Sequence, residues 1–291
     1  MDQKTSRRDF LYLTGKSAVF AGALALAPGF VKGSEADNTL GKADRKKIMI
    51  TGHLGYVGSR LIKAFGNEYD IVGYDILEGN DILDPQQLAT RMKGCEIVVH
   101  LAAIPKPTEG KTYQDYFRTN VEGSFNVAQV ALKTGVRRVV YASSTTYYGI
   151  EGGIPFHYPV TENQQVVSQY LKAEQLHCRD IDLSYHTSKV MTEQIMAWHG
   201  LNRKIETITL RYGPIDKVVM GVSVSNANVI QATKLAIDSN KQFWYEAFTI
   251  VDDIDFMDTR KAKTVLGYHP AKSSYRTDQV LSTFADRTKL G

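Results

Sequence analysis

Lys46-Lys47-Ile48-Met49-Ile50-Thr51 runs directly into Gly52-His53-Leu54-Gly55-Tyr56-Val57-Gly58. Two lysines open a short apolar run, the pattern of a strand covered on both faces of a parallel sheet. Three glycines then recur at every third position, and Ser59 to Phe65 reads as a helix. Each glycine serves a different end: a tight turn, close approach of backbone to a pyrophosphate, and close packing of helix on strand. The helix N-terminus adds free amides and the positive end of its dipole. A glycine triplet alone says little, but between a strand and a helix it has the context that a dinucleotide site requires.

Working outward, Asp70 to Tyr74 reads as the next strand, and Asp75 follows it, 17 residues beyond Gly58. A carboxylate there accepts both ribose hydroxyls of NAD and repels a 2′-phosphate. Ile76 and Leu77 come next, with no arginine to receive such a phosphate, so NAD is expected rather than NADP. The plainer reading of Asp75 is a turn residue at a strand end. Asn80 to Asp84 then leads into a helix ending near Lys93-Gly94, Glu96 to Ala103 reads as a strand running into a small-residue turn, Tyr113 to Thr134 as a helix and Arg138 to Ala142 as a strand. This alternation predicts an α/β fold, a doubly wound parallel sheet of Rossmann type.

Tyr185 and Lys189, in Tyr185-His186-Thr187-Ser188-Lys189, lie four residues apart and share one helix face. Tyrosine is a poor base at its usual pKa of about 10. A neighbouring ammonium favours the phenolate and brings it toward working pH. The spacing alone also fits an ordinary structural pair. Ser143-Ser144-Thr145-Thr146 places hydroxyls after a strand, at the edge where open α/β sheets bind ligands.

Together these pieces resemble the extended short-chain dehydrogenases/reductases, the NAD-dependent epimerase/dehydratase group. The matching residues are Thr51 to Gly58, Asp75, Asp81-Ile82, His100 to Ala103, Asn120, Ser143 to Gly149, Tyr185, Lys189 and Leu210-Arg211. The resemblance implies Tyr185 as acid/base, Lys189 as its electrostatic partner and ribose contact, and Ser144 as hydrogen bonder to the substrate oxygen, with Ser143 as the competing choice. It implies a cofactor site of Gly52, Gly55, Tyr56, Val57, Gly58 and Asp75, with Asp81 and Ile82 at the adenine and Leu101, Ala102 and Ala103 along the cofactor. Asn120 is either a cofactor contact or, the preferred reading, a structural residue at a helix kink of the kind common in that group.

The chain departs from the group twice. Ser144 and Tyr185 are 41 residues apart, a longer interval than usual, and the extra piece, Gln164 to Asp182, is polar and expected to be helical, as a lid or a dimer contact. After Leu210-Arg211-Tyr212-Gly213-Pro214, the stretch that normally forms a nucleotide-diphosphate pocket is missing, and Val222-Ser223-Val224-Ser225 arrives at once, before a helix at Asn228 to Asp238. Residues 216–291 form a short C-terminal part without a basic cluster, so a small substrate is expected rather than a sugar nucleotide, as in the group's compact sugar-acid dehydrogenases. Phe243-Trp244-Tyr245 reads as a core strand or a sugar-stacking patch, Arg211 as a brace or a carboxylate contact, Lys217 as a surface lysine, and Asp252, Asp253 and Asp258 as a solvated turn before a helix at Thr259. No metal site is expected from the seven histidines, and the two cysteines, Cys95 and Cys178, form no disulfide framework.

The chain has 291 residues, 43% hydrophobic and 23% charged, ordinary values that exclude a disordered tail or a polytopic membrane protein. Its net charge of +4 rests partly on the N-terminus. Setting aside five basic and three acidic residues in 1–36 leaves 30 against 28, so nucleic acid is not an expected partner. Ser6-Arg7-Arg8-Asp9-Phe10-Leu11 and the weakly apolar run to Val31, broken by Lys16, resemble a twin-arginine export signal more than a membrane anchor. Cleavage is expected near Ser34-Glu35-Ala36, ahead of a linker at 37–45 and the dinucleotide domain at 46–215; the plainer reading is a basic tail. Export to the periplasm after folding in the cytoplasm follows. The expected function is an NAD-dependent oxidoreductase acting on a small sugar-like alcohol or aldehyde. The alternatives are an epimerase or dehydratase that recycles tightly bound NAD, and a non-catalytic NAD-binding scaffold or sensor.

Overall fold

A computed structural model describes residues 45–150, 154, 156–164, 166, 179–273 and 278. The export segment, Cys178 and most of the Gln164–Asp182 piece lie outside the described residues. Six strands, β1 (Lys47–Thr51), β2 (Asp70–Tyr74), β3 (Ile97–His100), β4 (Arg138–Ser144), β5 (Glu206–Tyr212) and β6 (Tyr245–Ile250), form one parallel sheet in the order β2-β1-β3-β4-β5-β6. The order reverses at β1, and in such sheets the crevice beyond the strand ends at that point takes the ligand.

Alternation along the strands divides the core in two. Ile48, Ile50, Ile97, Val99, Val140, Ile208 and Leu210 face one side, under α1 (Tyr56–Phe65) and α6 (Asn226–Asp238). Met49, Val98, Val139 and Tyr141 face the other, under α2 (Pro85–Met92), α4 (Gly123–Thr134) and α5 (Asp180–Leu201). Local chemistry starts these helices: the Asp84 carboxylate accepts the Gln86 and Gln87 amides with Pro85 at the first position, and Ser225 accepts the Asn228 amide. Cys95 is buried in the second core, and burial pushes its thiol up to about 11.

Two sequence readings change. The helix after the glycines begins at Tyr56, inside the motif, rather than at Ser59. As expected, β3 gives way after His100 to a small-residue turn, because Thr51 Oγ1 takes the amides of Leu101 and Ala102, both at 3.2 Å, and turns the chain away. The sheet also continues past residue 215: α6 packs in the first core and β6 pairs with β5, so residues 226–250 complete the Rossmann layer. The predicted helix at Tyr113–Thr134 is present as α3 (Tyr113–Tyr116), a π-helical turn (Phe117–Glu122) and α4. Among the described residues no helix is long and apolar enough to cross a membrane.

Candidate active site

The site gathers at the C-terminal edge of the sheet. The glycine turn between β1 and α1 has no room for side chains: a Cβ on Gly52, at φ +71°, would lie 2.8 Å from the Ala102 nitrogen, and one on Gly58 2.3 Å from the Gly52 oxygen. Gly55 precedes α1 and offers no side-chain cap, and the first turn holds no acidic residue. The opening amides of α1 at Tyr56, Val57 and Gly58 therefore have no acceptor from a capping side chain, the condition in which a helix start receives an anion. Asp75, buried at the end of β2, accepts the Leu54 amide of this turn on Oδ2 and the Leu77 amide on Oδ1, each at 3.0 Å. These bonds aim the carboxylate, and each oxygen keeps a lone pair for a ribose hydroxyl. The bare turn, the uncapped helix start and the acid fit NAD.

Farther along, Asp81 Oδ1 accepts the Leu83 amide at 2.9 Å, and Ile82 packs where a Cβ on Gly123 would collide with it. Leu101, Ala102 and Ala103 are half-buried after β3, beside Gly52. Asn120 is 1% exposed, in the π-helical turn. Its Oδ1 accepts the Ile104 amide at 2.7 Å, and its Nδ2 donates to the Ile104 carbonyl at 3.2 Å and to Ser188 Oγ at 2.9 Å, bracing the loop after β3 against α5.

α5 buries a largely polar run in its first half: Ser184, Tyr185, His186, Ser188, Lys189, Thr192 and Glu193. Tyr185 meets Tyr116 edge-on at 6.2 Å, and the Lys189 ammonium lies 5.8 Å from the Tyr185 ring centre. Lys189 Nζ donates to the Ala142 carbonyl at 3.0 Å. Burial pushes its pKa down to about 8, against the pull of the Glu193 carboxylate, so it remains mostly an ammonium near neutrality. The two serines at the end of β4 differ. Ser143 is buried and donates to Glu193 Oε1 at 2.5 Å. Ser144 is half-buried, accepts the Thr146 amide at 3.2 Å and donates to Thr146 Oγ1 at 3.0 Å.

Among the residues with two readings, Arg211 is a brace: it is buried, pairs with Glu193 at 2.7 Å and lies 3.7 Å from the Tyr147 ring centre. Phe243 lies in the first core, and Tyr245 packs against the second core on the other face of the sheet. Lys217 is exposed. Asp252 accepts from Ser223, Ser225 and Asn228, Asp253 pairs with Lys263 and Asp258 with Arg260; among the described residues no cluster suits a metal. Sequence reasoning missed Glu193. The signal was present: positions 185, 189 and 193 continue one helix stripe.

Comparison with known proteins agrees with this geometry. A family model described as "NAD dependent epimerase/dehydratase family" matches residues 48–215. The L-arabinose 1-dehydrogenase (NAD(P)(+)) of Haloferax volcanii is 26% identical over 177 residues, which are 57% of this chain and 66% of that one. The UDP-glucose 4-epimerase of Bacillus subtilis is 25% identical over 191 residues, 57% of this chain and 51% of that one. Across such curated relatives the chain spans from 34% to 66% of their length. In fold it is similar to a short-chain dehydrogenase/reductase superfamily protein from Agrobacterium tumefaciens with bound NAD, at TM-score 0.63 and 17% identity over 83% of this chain and 96% of that chain. It is likewise similar to the UDP-glucuronic acid 4-epimerase from Bacillus cereus in complex with NAD, at TM-score 0.62 and 20% identity over 82% and 99%.

Proposed function

The chain belongs to the NAD dependent epimerase/dehydratase family, and we propose that it is an NAD-dependent oxidoreductase acting on an alcohol or aldehyde of a small sugar-like molecule. The observation that carries this reading is the placing of Tyr185, Lys189 and Ser144 at the same sheet edge as the glycine turn and Asp75. NAD, when bound, accepts or supplies the hydride. The amides of Tyr56 to Gly58 would hold its pyrophosphate and Asp75 its adenosine ribose. Ser144 Oγ donates to the reacting oxygen of the substrate, and Tyr185 Oη takes or returns that oxygen's proton. The Lys189 ammonium favours the phenolate form of Tyr185.

A small substrate is supported by how little chain stands beyond the sheet after β5. Residues 215–224 close on themselves through the Ile215–Val224 and Val219–Val222 bridges, and Ser225 then caps α6. The test is to denature the purified protein, identify any released nucleotide by mass spectrometry, and follow nicotinamide absorbance with L-arabinose or a hexuronic acid. Substrate-dependent reduction of NAD in the wild type, absent in Tyr185→Phe, is the expected result. Turnover retained by Tyr185→Phe removes that residue from the acid/base role.

Epimerase or dehydratase chemistry with retained NAD is the second reading, favoured by the export motif, since a periplasmic enzyme has little free NAD. About one NAD per chain, resistant to dialysis, together with substrate isomerisation and no net reduction, selects it. The intact Tyr185, Lys189 and Ser144 set speaks against a scaffold without catalysis. Residues 1–36 are proposed to address the folded protein to the twin-arginine machinery and the periplasm; Arg7→Lys with Arg8→Lys should block export, and unchanged export rejects the address. A second copy is a further proposed partner, seated on the outer face of α3 to α5, where Tyr113, Phe117, Phe125 and Trp198 are exposed; a monomer in sedimentation rejects it.

A further inference from the structure

Under the site lies a buried charge cluster that the scheme above does not use. Glu193 stands one helical turn beyond Lys189 and is fully buried. Its Oε1 accepts Ser143 Oγ at 2.5 Å and Arg211 Nε at 3.0 Å, and its Oε2 accepts Arg211 Nη2 at 2.7 Å. Arg211 Nη1 also donates to Tyr148 Oη and to the Glu162 carbonyl, each at 3.2 Å. Bound on so many sides, the carboxylate cannot swing away. Buried ion pairs are often replaceable by apolar residues without loss of stability, so stability is a poor reason for placing one here.

Lys189 supplies a better reason. It is 4% exposed and, among the described residues, has no carboxylate within salt-bridge distance. The groups facing it are Tyr185 and Glu193 on α5, Tyr141 on β4 with its ring centre at 5.2 Å, and His100 on β3, which burial keeps neutral. Around Glu193 stand Arg211 on β5, Tyr245 on β6, and Tyr141 and Tyr147, phenols that burial and Glu193 keep un-ionised. Glu193 is thus the fixed negative charge on the buried side of Lys189.

Resting on the reading of Tyr185 and Lys189 above, we propose that Glu193 is a positioning residue: it holds Lys189 as an ammonium from below and occupies the Ser143 hydroxyl, so that Ser144 alone faces the substrate. The test is a pH titration of the full-length protein labelled with 13C-lysine, with the Lys189 Cε resonance assigned by its loss in Lys189→Met. The wild-type midpoint is expected near 8. Glu193→Gln should lower it by about one pH unit, roughly a ten-fold change in the ionisation constant. Ser143→Ala, which keeps the charge, should leave it in place. Because Glu193→Gln strands the buried Arg211 guanidinium at a cost to folding, the double variant Glu193→Gln/Arg211→Gln is measured too, again with a downward shift expected. A midpoint unmoved in whichever of these variants folds overturns the proposal. The readout needs neither NAD nor substrate, so its failure is separate from a failure of the Tyr185→Phe test.

Discussion

Thr51 and His100, at the ends of neighbouring strands, are joined by a hydrogen bond of 2.7 Å between Oγ1 and Nδ1. Thr51 Oγ1 already accepts the amides of Leu101 and Ala102, so its own proton goes to the ring. His100 therefore carries its proton on Nε2 and donates it to Ser124 Oγ at 2.8 Å, and Ser124 donates in turn to the Asn120 carbonyl. Asn120 continues the line to Ser188, whose hydroxyl reaches the Tyr185 carbonyl at 2.7 Å. Only a neutral ring both accepts and donates here, and burial, then the Lys189 charge, lowers the His100 pKa to about 3. Nitrogen-15 spectra should show the neutral Nε2–H tautomer from pH 5 to 8. His100→Phe would leave Thr51 and Ser124 without their partner and should cost about 2–4 kcal/mol in urea unfolding. A loss below about 0.5 kcal/mol would mean the line is not continuous.

Asp75 ties the glycine turn to the turn after β2, since its two oxygens take amides from Leu54 and Leu77. Asp75→Ala removes those bonds together with the ribose acceptor. NAD affinity should fall at least about ten-fold, with NADP gaining relative to NAD; two lost hydrogen bonds at about 1 kcal/mol each set that scale. Isothermal titration with both nucleotides checks it, and an unchanged preference removes Asp75 from ribose recognition.

How far the sequence could be read depended on whether an element declares itself locally. β1 and β2 stand at Lys47–Thr51 and Asp70–Tyr74, where short apolar runs bounded by turn residues announce strands, buried in β1 and half-buried in the edge strand β2. The π-helical turn at Phe117–Glu122 does not announce itself. There the Asn120 carbonyl accepts from Ser124 within the same helix and from Thr192 on α5 at 2.9 Å, and the second partner is invisible until the helices pack. Glu193 escaped for the same reason: its stripe was legible, but its partner Arg211 lies on β5. The boundary at residue 215 failed because β6 pairs with β5 only through the α6 crossover, a non-local contact that no composition change marks.

Lys189 carries a stability cost with a definite sign. Its pKa falls from 10.5 to about 8 on folding. The unfolded chain thus binds the proton more tightly, protonation opposes folding below about 8, and stability is regained as pH rises from there toward 10.5. Lys189→Met should therefore be more stable than wild type at pH 7, by on the order of 2–3 kcal/mol, with the gain shrinking by pH 9.5. It should also lack turnover, and wild-type turnover should fall as pH rises through about 8. Urea unfolding at both pH values, with a pH–rate profile, checks each part.

The end of β4 separates two adjacent hydroxyls by what they bind. Ser143 is committed to a buried carboxylate at 2.5 Å, a charge-assisted bond, while Ser144 is held only by Thr146 and lies at the rim. Ser143→Ala should cost about 1.5–3 kcal/mol of stability. Ser144→Ala should cost less than about 1 kcal/mol, because the lost bonds face a half-buried surface. The order should invert for chemistry: the Ser144 variant should lose about 100-fold in kcat, the scale of one oriented donor to a reacting oxygen. A larger kcat loss in Ser143→Ala than in Ser144→Ala, with both variants folded, would transfer the role to Ser143 and require Glu193 to release it during turnover.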